Sequence, residues 1–167
     1  GVDAVIFFSD ILIPVEGMGV EVSLTDRGPE IGNPVRTNDD VNGLKTPDVD
    51  TAFPFTAEVL GMLRRELEGE VPLIGFAGAP WTLGSYLVEG GSSKNFTEIK
   101  GMAYREPHLL HKLMDKLATT IGEYLLYQIE SGAQVVQLFD TWAGALAPCD
   151  YQEFALPYTQ RVFETVG

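Results

Sequence analysis

Cysteine, histidine and positive charge are all scarce in this chain. The 167 residues contain one cysteine, Cys149, two histidines, and 11 Lys+Arg against 24 Asp+Glu. A lone cysteine excludes an intrachain disulfide and every multi-cysteine zinc pattern. His108 and His111 stand three apart in a helical stretch with no third histidine or cysteine beside them, so a zinc site is not expected. The net charge of −13 opposes the counterion release that rewards binding to nucleic acid or to anionic membranes, and neither partner is expected. No apolar run approaches the roughly 20 residues that span a bilayer. Neither GxxxxGK[ST] nor GxGxxG occurs, which leaves nucleotide-phosphate binding without a motif.

What is present suits one globular domain, since 45% of the residues are hydrophobic and 21% charged. No initiator Met opens the chain, the first apolar run starts almost at once, and the last residues read as helix. We expect one partial domain over residues 1–167, truncated at both ends.

The apolar run Ala4–Phe8 reads as a buried parallel strand that empties into Ser9-Asp10. A weaker strand is expected over Val20–Leu24, and Arg27–Asp50 reads as a surface connector without periodicity. Phe55, Val59, Leu60, Leu63 and Leu67 recur at helical spacing, predicting a helix over Pro54–Glu68. A strand follows over Val71–Phe76. Gly78 and Pro80 are expected to shape a turn into a helix over Thr82–Val88, closed by Gly90-Gly91. Asn95 with Glu98, and Asp150 with Glu153, match the capping-box pattern. Between them, Pro107–Ser131 is a long amphipathic helix built on Leu110, Leu113, Leu117, Ile121, Tyr124, Leu125 and Ile129. Gln134–Phe139 is a further strand, and Pro157 breaks or restarts the last helix.

Strands alternating with helices define a parallel α/β protein, whose chemistry gathers where strands end at their C-termini. Three clusters fall there: Ser9-Asp10, the turn from Gly78 to Tyr86, and Asp140-Thr141-Trp142. They could converge on one pocket. Asp10 sits between apolar runs and is expected to be partly desolvated; it either accepts backbone N–H groups or serves as an anionic acceptor for a ligand. Asp140-Thr141 carries the same two readings. Tyr86 either packs inward or offers its hydroxyl to a ligand.

Three segments together resemble the uroporphyrinogen decarboxylase family: FFSDILIP at Phe7 to Pro14, GFAGAPWTLGSYLVEGGSSKNF at Gly75 to Phe96, and SGAQVVQLFDTWAGALAP at Ser131 to Pro148. They stand in the order and spacing of that family, nearest to its bacterial and plastid members. The resemblance implies an α/β protein of the (β/α)8 TIM-barrel type, here an incomplete barrel, from a cytoplasmic or plastid-stromal homodimer. The implied activity is removal of carboxyl groups from the four acetates of uroporphyrinogen, giving coproporphyrinogen without metal or organic cofactor. Asp10 matches the aspartate that accepts pyrrole N–H groups, Tyr86 matches a substrate-contacting tyrosine, and Thr141 matches a serine or threonine that binds substrate. Family members bring arginines from a segment before the residue matching Gly1, and a histidine from near the C-terminus. Trp81 has no counterpart contact, so packing is its expected role. Two other readings stand beside this one: a corrinoid-dependent methyltransferase on the same barrel, and a fragment that only binds a tetrapyrrole.

Overall fold

Three apolar runs lie side by side as a parallel sheet in the order β1–β4–β5, with helices filling each crossover. The structure is a computed structural model and describes residues 1–26 and 28–167. The chain runs through β1 (Val5–Ile6), α1 (Ile13–Gly17), β2 (Val22–Thr25), β3 (Gly28–Ile31), α2 (Asn38–Gly43), α3 (Val49–Ala52) and α4 (Pro54–Glu66). It continues through β4 (Leu73–Gly78), α5 (Pro80–Glu89), α6 (Thr97–Arg105), α7 (Pro107–Glu130), β5 (Val135–Phe139), α8 (Pro148–Phe154) and α9 (Leu156–Val166). This is part of a (β/α)8 barrel. β1 and β5 flank β4, and among the described residues neither takes a further strand.

Helix α7 is the centre of the packing. Leu110, Leu113, Leu117, Ile121 and Leu125 are fully buried in one core with Trp81, Leu83 and Leu87 of α5. A second, smaller core holds Phe7, Leu60, Leu73 and Ala133 beneath β1 and β4. Of the apolar residues that recur at helical spacing here, Phe55 and Val59 are exposed. Only the face bearing Leu60, with Leu63 and Leu67 packed against it, meets the sheet.

Helix boundaries follow backbone chemistry. Pro80, Pro107 and Pro148 open α5, α7 and α8, where a missing N–H costs nothing. Pro157 sits in the first turn of α9, which Ala155 alone separates from the end of α8, so it restarts the helix. Gly90 caps α5 with φ +87°, and at Gly91 (φ +145°) a Cβ would lie 2.6 Å from the Pro29 carbonyl oxygen. Both positions favour glycine.

Several expectations are corrected. The segment read as a structureless connector contains β3, α2 and the start of α3; Arg27, its first residue, lies outside the described residues. Hairpin pairing from Val22↔Ile31 to Thr25↔Gly28 orders its first part. A capping box between Thr37 and Asp40 orders α2. Asn95 does not cap α6. The cap position belongs to Phe96, and the Glu89 carboxylate takes the amides of Glu98 and Ile99 at 2.9 and 3.0 Å. Asp150 lies inside α8 rather than before it, and accepts a hydrogen bond from the Tyr104 hydroxyl at 3.1 Å. Gly78 is the last residue of β4, not a turn residue; a Cβ there would lie 2.8 Å from Leu83 Cδ2.

Candidate functional site

Each of the three parallel strands contributes one phenylalanine at or near its C-terminal end. Phe76 on β4 lies between Phe8, just after β1, and Phe139, the last residue of β5. The ring centroids are 6.4 and 5.6 Å from that of Phe76. Phe76 is buried, whereas Phe8 is 88% and Phe139 39% exposed, so the outer rings present aromatic surface to whatever enters. Together with Ile6, Ser9, Asp10, Ile11 and Thr141 they line a cleft of ≈ 430 Å³. That size lies within the roughly 300–1,000 Å³ typical of small-molecule sites. The aromatic floor escaped the sequence reading because each phenylalanine looks like an ordinary strand residue; only strand pairing puts the three together.

Gln128 of α7 fixes the floor from below. It is fully buried, accepts the Phe76 N–H through Oε1 and donates Nε2–H to the Phe76 carbonyl, both at 2.9 Å. Its amide occupies the space a Cβ on Gly75 would need.

Asp10 and Thr141 meet at this cleft from opposite edges of the sheet. Asp10 is exposed rather than desolvated as expected, because β1 ends at Ile6 and the chain has left the sheet before reaching it. Its Oδ1 accepts the Leu12 N–H at 2.8 Å. The neighbouring Ser9 is hydrogen-bonded to the buried Tyr124 of α7, which anchors the loop. Burial, and next the negative charge of Asp10, raise the Glu16 carboxyl above its ordinary value of 4.5. Among the described residues no lysine, arginine or histidine lines the cleft, and the ionisable group they bring to it is the Asp10 carboxylate.

Tyr86 does not line this cleft. Its ring packs 6.0 Å from that of Trp142, the residue after Thr141, and it is half-buried against the main core. Two of the three clusters therefore share the cleft, while Tyr86 of the third packs on Trp142, which follows Thr141 in the chain. Trp81 is fully buried and donates its Nε1–H to the Trp142 carbonyl at 3.2 Å. His111 is occupied as well, its Nδ1 lying 2.7 Å from the Tyr158 hydroxyl. Among the described residues no three His, Cys, Asp or Glu side chains come together as a metal site.

Asp140 bridges β5 and α5. Its Oδ1 accepts the Thr82 hydroxyl at 2.8 Å, while Oδ2 is buried without a hydrogen-bond partner among the described residues. Burial raises its carboxyl above the ordinary 3.8, against the lowering effect of Thr82. Between 3.8 and the raised value the folded protein holds the proton more tightly than the unfolded chain. Stability therefore falls as pH rises through that window, and the loss is complete above it. Asp140→Asn in the whole protein keeps an acceptor for Thr82 and cannot ionise. It should melt at a higher temperature than the parent at neutral pH, with the gain vanishing below pH 3.8. A gain that persists in acid would contradict this assignment.

Parallel strands joined by helices, with a cleft at the strands' C-terminal ends, make this a barrel-type α/β protein with its site where such folds place ligands. Its fold is shared with the solved structure of a methyltransferase from Methanosarcina mazei, at a TM-score of 0.83 and 22% identity over all of this chain and 50% of that one. At that identity the likeness concerns the fold alone. The uroporphyrinogen decarboxylase (URO-D) family model matches residues 1–167. Uroporphyrinogen decarboxylase of Parasynechococcus marenigrum (strain WH8102) is 53% identical over 165 residues, covering 98% of this chain and 47% of its own length. That of Synechococcus sp. (strain CC9605) is 52% identical with the same coverage. The chain belongs to the uroporphyrinogen decarboxylase family, and it spans about half the length of the curated relatives it matches.

Proposed function

We propose that the whole protein is a carboxy-lyase that converts uroporphyrinogen to coproporphyrinogen in porphyrin biosynthesis. The observation that carries this reading is a single carboxylate, Asp10, at the edge of a cleft floored by three aromatic rings. A tetrapyrrole offers the matching surfaces, flat apolar rings around a centre of pyrrole N–H donors. Asp10 accepts those donors, and Thr141 supplies a hydroxyl to the substrate from the other edge. Tyr86, close behind Trp142, is the third substrate contact, reached when Trp142 or the substrate brings its hydroxyl into the cleft.

The chemistry follows from the charge of Asp10. A proton added to a pyrrole carbon makes the ring cationic, and the electrons of the breaking C–CO₂ bond flow into it as carbon dioxide leaves. The exposed methylene carbon then takes a proton and becomes a methyl group, and the ring carbon releases the proton it gained, which restores the neutral pyrrole. A fixed carboxylate beside the ring stabilises the cation as it forms, which lowers the barrier rather than merely tightening binding. Binding the substrate's eight carboxylates requires cations that the described residues of the cleft lining do not supply. We assign these to arginines outside residues 1–167. The whole protein works as a homodimer in the cytoplasm or plastid stroma, without membrane or nucleic-acid partners.

The assay is coproporphyrinogen formation from uroporphyrinogen. Turnover is expected from the whole protein and none from the isolated 167 residues. A whole protein that binds the tetrapyrrole without converting it would favour the binding-only reading, and appreciable turnover by the isolated chain would sink the requirement for outside cations.

A further inference from the structure

The peptide that follows Thr141 is held on both sides by the first turn of α5. Thr82 Oγ1 accepts the Trp142 N–H at 3.1 Å while donating to Asp140 Oδ1, and the Trp81 indole donates to the Trp142 carbonyl. One hydroxyl thus touches the residues before and after Thr141. The last residue of β5 is tied to the same turn, since the Ala79 N–H bonds to the Phe139 carbonyl at 2.8 Å. Thr82 and Trp81 are both fully buried, so these bonds have no water to replace them. Thr141 itself is exposed and makes no hydrogen bond of its own to the framework among the described residues. Its place at the cleft comes from its neighbours.

We infer that Thr82 and Trp81 are positioning residues for substrate binding, holding the Asp140–Trp142 strand end so that the Thr141 hydroxyl faces the cleft. This rests on the proposed decarboxylase reading, which gives Thr141 its substrate. Asp140 sets the rotation of the Thr82 hydroxyl: by accepting its hydrogen bond, it leaves the oxygen lone pairs for the Trp142 amide. Thr82 then works through Thr141 without touching substrate, and its loss should appear in binding more than in the chemical step.

The test uses the whole protein. Thr82→Val keeps the side chain's shape and removes the hydroxyl; KM for uroporphyrinogen should rise about tenfold with kcat changed less than about threefold, the scale of one lost buried hydrogen bond. Thr82→Ser restores the hydroxyl and should recover most of the lost affinity. In a Thr141→Ala background the Thr82→Val effect on KM should largely disappear, because the two act through one group. Amide hydrogen exchange over residues 140–145 should accelerate about tenfold in Thr82→Val and revert in Thr82→Ser. Trp81→Phe removes the second tie alone and should raise KM about threefold, giving an independent reading if Thr82→Val does not fold.

An unchanged KM in Thr82→Val, or in Trp81→Phe if the first variant cannot be made, would overturn the inference. So would a serine variant as impaired as valine, or a KM effect undiminished without the Thr141 hydroxyl. A parent without turnover would instead remove the proposed activity, and the exchange measurement would still decide whether Thr82 holds the strand end.

Discussion

Replacing Asp10 with asparagine in the whole protein is expected to lower kcat for decarboxylation by about 10²–10³, the scale seen when one preorganised electrostatic partner of a transition-state charge is removed. The carboxamide oxygen of the new side chain would still accept the Leu12 N–H, so the loop after β1 keeps its shape and only the charge is lost. Asp10 is exposed, and stability should change by no more than about 0.5 kcal/mol. The variant therefore separates charge from structure. An internal control comes from Glu16, whose carboxyl is held up in part by the charge of Asp10; in the variant it should titrate at lower pH. Decarboxylation at the parental rate, with Glu16 shifted as expected, would leave Asp10 no electrostatic role.

Gln128→Leu should have the largest effect on stability, a loss of about 2–5 kcal/mol in urea denaturation. The substitution is close in volume but leaves the Phe76 N–H and carbonyl without their partners, inside a site that water does not reach. Each orphaned backbone group costs about 1–3 kcal/mol, a large fraction of the roughly 5–15 kcal/mol that holds a domain folded. Function should suffer too, because Phe76 is the central ring of the cleft floor and its backbone is held there by Gln128. A loss below about 1 kcal/mol would mean that Phe76 finds other partners, contrary to this account.

The helices were largely legible because their signals are local. Proline at the first turn, glycine at the end and apolar residues every third or fourth position placed α4, α5 and α7 within a few residues. The segment 28–52 was not legible, since a four-residue hairpin arm and two one-turn or two-turn helices are too short to show a period. Capping failed at Asn95 for a different reason. The pattern Asn95-Phe96-Thr97-Glu98 is a valid local solution, but Glu89 arrives from the end of α5 and satisfies the same amides. Asp10 is exposed despite its apolar neighbours in sequence, because β1 ends at Ile6 and those neighbours do not surround it in space.

The amino-acid sequence by itself determined the alternation of strand and helix, the family, and which polar residues stand at strand ends, because these depend on neighbours along the chain. Tertiary structure decided which of them share a cleft. Parallel pairing of β1 and β5 on either side of β4 brings Asp10 and Thr141 to one opening and stacks Phe8, Phe76 and Phe139 beneath it. The same packing turns Tyr86 against Trp142 and ties the Thr141 segment to Thr82. Such contacts join residues far apart in sequence through side chains whose direction is set only when the sheet closes, and no local pattern carries that information.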